Sequence, residues 1–191
     1  MDLPWPLPHR TDLRDRLLAA YGDGRGYHDR QHLAEVLARV AELGAAEDTE
    51  VVLAAWFHDG IYDGEPEPEE RSARWAEGEL ADEDGVSATE VGRLVRLTET
   101  HRPADGDRRG EILCDADLAI LAAPPERYRE YVQGVRAEYA DVPEAAFRAG
   151  RLAVLKELAT KPTLFHTTTA RREWEQPARA NLAEEIALLT D

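Results

Sequence analysis

Apolar residues recur at helical spacing almost from end to end of the chain, and no segment alternates apolar and polar side chains as a half-buried strand would. The pattern predicts a first helix over residues 11–21, stopped by Gly22, Gly24 and Gly26. A second begins near His28, carries Leu33, Val36, Leu37 and Val40 on one face, and ends at Gly44. A third follows Asp48 and runs through the unbroken apolar series Val51, Val52, Leu53, Ala54, Ala55, Trp56 and Phe57 into His58 and Asp59. Further helices are predicted at about 69–80, 88–100, 112–122, 125–139, 142–158 and 171–189. Ser87 and Asp141 are suited to N-caps, Pro125 and Pro143 to first turns. Leu152, Leu155 and Leu158 read as core, as do the scattered Trp5, Trp56, Trp75 and Trp174. No internal repeat or linker interrupts this order. The expectation is an all-α, single compact domain over 1–191, a bundle of about eight or nine helices, with 1–10 as an N-terminal extension.

Composition narrows the class of partner. The chain has 191 residues, 43% hydrophobic and 32% charged, which suits a globular protein with a real core. A formal net charge of −16 argues against a nucleic-acid polymer or an anionic membrane surface as partner, because both are bound through clustered Lys and Arg. A small anionic substrate stays compatible, since a metal ion and a few local arginines override the global field. Cys114 is the single cysteine, so neither an intramolecular disulfide nor a Cys-rich zinc site can form. The first residues lack the apolar run of a signal peptide, and no stretch is apolar for the length of a bilayer, so a cytoplasmic location is expected.

Candidate chemistry lies where histidines and aspartates fall at the ends of apolar helices. His58-Asp59 emerges directly from the third helix's buried run, and burying an imidazole beside a carboxylate is costly unless they are paired or bind a metal. The same dipeptide is also a plain helix ending. His28 and His32, four apart in Tyr27-His28-Asp29-Arg30-Gln31-His32, would share one face of a continuous helix. Asp115 and Asp117, two apart, would point to nearly opposite sides of theirs, so one of them at most faces a given centre and the other caps a helix or meets solvent. Two imidazoles and two carboxylates neutralise one divalent cation. Mixed nitrogen and oxygen ligands favour Mn, Fe, Co, Ni or Zn over Mg.

These segments, in order, resemble the HD-domain superfamily, and within it the small bacterial group described as predicted metal-dependent HD-superfamily phosphohydrolases. The resemblance rests on Arg25-Gly26-Tyr27-His28 with His32, Phe57-His58-Asp59-Gly60-Ile61-Tyr62-Asp63, Glu70-Arg71-Ser72-Ala73, Thr98-Glu99-Thr100-His101, Asp115-Ala116-Asp117-Leu118, and Ala178-Arg179-Ala180-Asn181-Leu182 followed by Glu185-Ile186. It spans residues 12–188. It implies an all-α fold whose metal is held by a first His, the HD pair and a distal Asp. Carried over, these are His28, His58, Asp59 and Asp117, with His32 and Asp115 as alternates for the first and last. Asp117 is preferred because the family's ligand usually follows an Ala and precedes an apolar residue. Many nucleotide-cleaving members carry a Glu three residues after the HD Asp; Tyr62 stands there in this chain, which leaves Asp63 and Glu70 as nearby candidates for a general acid.

The activity so implied is metal-dependent hydrolysis of a small phosphate ester, with nucleotides among the candidates, through a metal-activated water. Asp59 would help orient the water, Arg25 and Arg102 would hold anionic oxygens, and His101 would serve as general acid or phosphate contact. Two rivals stand beside it. One is a non-catalytic helical module that binds a metal or a nucleotide. The other is an HD-type di-iron oxygenase, which lacks a ligand here because His101 is the one histidine between Asp59 and Asp117.

Overall fold

The computed structural model describes residues 3–22 and 24–190. Among these residues the chain is all-helical, with ten α-helices, one 3-10 turn and no strand. They are α1 (Thr11–Ala20), α2 (Arg30–Glu42), α3 (Thr49–Phe57), α4 (Pro68–Leu80), α5 (Ala88–Leu97), α6 (Arg108–Leu118), α7 (Pro125–Glu138), α8 (Glu144–Thr160), α9 (Thr168–Glu173) and α10 (Glu175–Thr190). No helix among the described residues is long and apolar enough to cross a membrane. The backbone groups into two compact units. Among the described residues the first comprises 3–22, 24 and 28–117; the second comprises 25–27 and 118–190.

In the first unit α3 is the central element. Every residue from Val51 to Phe57 is buried, as its unbroken apolar run requires, and α2, α4 and α5 all pack against it. Asp48 caps the helix by accepting the Val51 amide at 3.2 Å. Residues 3–10 are packed rather than extended from the domain. The Trp5 ring meets Trp56 edge-on at 5.1 Å, the Trp56 indole donates to the Pro4 carbonyl, and Arg10 bridges Glu79 and Glu83.

Helix α2 begins two residues later than its periodicity suggests. Asp29 is the N-cap, with extended backbone (φ −104°, ψ −169°), and its Oδ1 accepts the amides of Gln31 and His32 at 2.8 and 3.1 Å. His28 therefore lies outside the helix and shares no helical face with His32. At the far end of α5, residues expected to stay helical to 100 turn off after Leu97, and His101 adopts a left-handed conformation at φ +50°.

The second unit packs α10 against α8, α9 and the 3-10 turn Ala119–Ala122. Asn181 on α10 donates its side-chain amide to the Leu121 and Ala123 carbonyls at 2.8 and 2.9 Å, satisfying backbone groups that the end of the turn leaves open. The single helix expected at 171–189 is instead two, joined at Trp174. Pro177 explains the break: its ring would clash with the carbonyl of Glu173, four residues back, whereas it is tolerated in the first turn of α10. Of the three leucines expected as core in α8, Leu155 is buried, while Leu152 and Leu158 are half-exposed.

One close approach in this unit sets the sign of a substitution. A Cβ on Gly134 of α7 would lie 2.5 Å from the Gly26 carbonyl oxygen, and that segment is also held by Glu138, which accepts the Gly26 and Tyr27 amides. Gly150 of α8 has open space at the same position. Replacing helical Gly by Ala gains about 1 kcal/mol of propensity, but overpacking against fixed backbone costs about 1–3 kcal/mol. Gly134→Ala is therefore expected to lower the denaturation midpoint and Gly150→Ala to raise it, as measured by urea titration.

Candidate metal centre

Four donor atoms from three segments of the first unit converge. His32 comes from the first turn of α2, His58 and Asp59 from the end of α3, and Asp117 from the last turn of α6. The two imidazole Nε2 atoms are 3.1 Å apart. Asp59 Oδ2 lies 3.2 Å from His32 Nε2 and 3.0 Å from His58 Nε2. Asp117 Oδ1 lies 3.3 and 3.6 Å from the same two nitrogens. Ligands about 2.1 Å from one ion are about 3.0 Å apart on neighbouring octahedral corners and about 3.4 Å apart on tetrahedral ones, so these separations fit a common cation. His32, His58 and Asp59 together form a group able to hold a metal ion.

The electrostatics agree with the geometry. Both histidines are almost wholly buried, at 2% and 1% exposure. Burial opposes their charged forms, yet the Asp117 and Asp59 carboxylates outweigh it and push the His32 pKa up to about 10; His58 is raised for the same reason. Burial likewise opposes ionisation of the two aspartates, but His58 and the neighbouring imidazoles hold both well below the ordinary carboxylate range. A site that retains positive charge against burial favours a divalent cation in place of its protons. Two carboxylates, two neutral imidazoles and one such ion sum to zero charge.

The surrounding contacts orient the donors. His58 Nδ1 lies 2.8 Å from the Ala55 carbonyl, which can only accept, so the proton of a neutral ring sits on Nδ1 and the Nε2 lone pair faces the cluster. Asp117 divides its oxygens: Oδ1 turns to His32 and His58, and Oδ2 accepts from His101 Nε2 at 2.8 Å. The left-handed backbone of His101 is a conformation that non-Gly residues adopt at a cost of order 1–3 kcal/mol, and here it brings the ring onto the carboxylate. Ser72 Oγ accepts the Ile61 amide at 3.0 Å, and the Trp75 ring packs so closely over Gly60 that a Cβ there would lie 3.0 Å from it. Together they fix the chain just after Asp59.

The residues expected from sequence fall differently in space. His28, preferred there as the first imidazole, stacks its ring on Tyr62 at 4.1 Å and meets His32 edge-on, while His32 Nε2 lies within 3.3 Å of a donor atom from each of His58, Asp59 and Asp117. Asp117 is in the cluster; Asp115 is fully buried rather than turned to solvent. Asp63 and Glu70, the candidates for a general acid, are held by arginines: Arg71 grips Asp63 through two nitrogens, and Arg96 and Arg74 grip Glu70. Those hydrogen bonds lower both pKa values, away from the near-neutral value that suits a proton donor. Arg102 is exposed on the first unit, and Arg25 belongs to the second. Tyr21 and Ser72 were not singled out from sequence as site residues. Ser72 stood within a recognisable segment, whereas Tyr21 resembled any aromatic at a helix end. No protein-family model, curated protein or solved structure matches the chain.

Proposed function

We propose that the chain is a metal-dependent phosphohydrolase of HD-domain type, with His32, His58, Asp59 and Asp117 as its ligands. One observation carries the reading: two buried imidazole nitrogens lie 3.1 Å apart, and a carboxylate oxygen from each of two aspartates, one of them on a distant helix, lies 3.0–3.6 Å from both. Nitrogen and oxygen donors in equal number favour Mn, Fe, Co, Ni or Zn over Mg. A divalent ion held there supplies Lewis-acid polarisation of a phosphoryl oxygen and lowers the pKa of water. Asp59 and Asp117 balance its charge and orient what binds beside it. His101, hydrogen-bonded to Asp117 and partly exposed, is the imidazole placed to give a proton to a leaving oxygen.

The arginine-bound states of Asp63 and Glu70 favour a second reading, a metal-holding module that binds a phosphorylated ligand without turning it over. Metal analysis of the purified protein, joined to a phosphate-release screen over nucleotides and sugar phosphates, separates the two. The expected result is a bound transition metal and a substrate whose hydrolysis stops on chelation and returns when the ion is restored. Saturable binding without turnover at full metal loading would select the second reading. A metal-free, inert protein would remove both.

A further inference from the structure

The end of α3 departs from helical hydrogen bonding in a way that involves the metal centre. The helix's last regular bond runs from the His58 amide to the Ala54 carbonyl at 2.9 Å. One residue on, regular geometry would send the Asp59 amide to the Ala55 carbonyl. That carbonyl instead faces His58 Nδ1 at 2.8 Å. The Asp59 amide donates to the hydroxyl of Tyr21 at 3.2 Å, and the same hydroxyl donates onward to the Trp56 carbonyl at 3.2 Å. Tyr21 closes α1, is 1% exposed, and places its ring 6.4 Å from that of His58.

We propose that Tyr21 is a positioning residue for the metal centre: its hydroxyl accepts the Asp59 amide and thereby leaves the Ala55 carbonyl to hold the His58 imidazole with Nε2 facing the other donors. The inference rests on reading the cluster as a metal site. The hydroxyl is one donor and one acceptor, and both roles are used at the turn that carries His58 and Asp59. Without it, the buried Asp59 amide and the Trp56 carbonyl lose partners, and the nearest carbonyl in helical register for that amide is Ala55's. Competition for that single carbonyl would release His58 Nδ1, so the ring loses its fixed tautomer and orientation. Outer-shell partners of metal-bound histidines act in this manner, and their removal typically costs about 10–100-fold in metal affinity.

The test is Tyr21→Phe, which keeps the buried ring and deletes one oxygen. Nitrogen-15 chemical shifts of the metal-free wild type, recorded at a pH where the His58 ring is neutral, report which of its nitrogens carries the proton, and Nδ1 is expected. In Tyr21→Phe the His58 signals should move towards the average of exchanging tautomers. Zinc affinity, measured by competition against a chromophoric chelator, should fall about 10-fold or more. A purely structural tyrosine would lower the melting temperature while leaving tautomer and affinity as in the wild type, and that outcome overturns the proposal. A wild-type His58 protonated on Nε2 overturns it too, whether or not the variant folds. If the wild type takes up no zinc, the metal reading fails by itself, and the tautomer comparison in the metal-free proteins still decides the role of Tyr21.

Discussion

His32→Ala is expected to abolish tight metal binding, whereas His28→Ala, four residues away, should leave it within a few-fold of the wild type. His32 Nε2 is within 3.3 Å of a donor atom from each of His58, Asp59 and Asp117, so its loss removes one corner of the donor set. It also leaves two largely enclosed aspartates facing one imidazole. Losing an outer-shell partner already costs up to about 100-fold in affinity, and removal of a direct ligand should exceed that. The His28 ring is stacked on Tyr62 at 4.1 Å instead and meets the His32 ring edge-on at 5.6 Å. Metal content after dialysis against a defined zinc buffer distinguishes the pair. Retention of metal by His32→Ala together with its loss from His28→Ala would restore the ligand order expected from sequence and refute the one favoured by the geometry.

That contrast also locates what sequence could and could not reveal. The helical pattern was legible because apolar positions recur with the period of a helix, and the α3 run dictated a wholly buried segment ending at His58-Asp59. The choice between His28 and His32 turned on a single cap. Periodicity places both on one helix, but Asp29 as N-cap stops the helix short of His28, and a capping aspartate in the midst of polar residues has no strong signature. Asp117 was preferred on resemblance and does lie in the cluster, yet nothing local distinguished it from Asp115, because their environments are made by segments far along the chain. Tyr21 was invisible for the same reason: its hydroxyl matters through the Asp59 amide, 38 residues away. The arginine partners of Asp63 and Glu70 are likewise tertiary facts that the local sequence does not carry.

The largest effect on stability is expected outside the candidate metal centre, at Glu185 of α10. Its carboxylate accepts Arg151 Nε and Nη2 at 2.7 and 3.0 Å and the Tyr128 hydroxyl at 2.6 Å, and Arg151 Nη1 donates to the Tyr131 hydroxyl at 2.9 Å. The side chains of Arg151 and Glu185 are only 10% and 6% exposed. Burial opposes the Arg151 charge, but Tyr131 and Glu185 more than offset it and hold the guanidinium protonated. Glu185→Leu would leave that cation buried without its counter-charge, which typically costs about 3–5 kcal/mol, because the desolvation of a charge is no longer compensated. Against a total stability of about 5–15 kcal/mol this should shift the urea midpoint far down or unfold the second unit. The pair itself contributes much less than its disruption suggests. Arg151→Met combined with Glu185→Leu removes both charges and should recover most of the loss, apart from about 1–3 kcal/mol for the Tyr128 hydroxyl left without its acceptor. Adding Tyr128→Phe should then regain that remainder. A double variant no more stable than Glu185→Leu alone would show that these charges stabilise the unit directly, rather than merely tolerating one another.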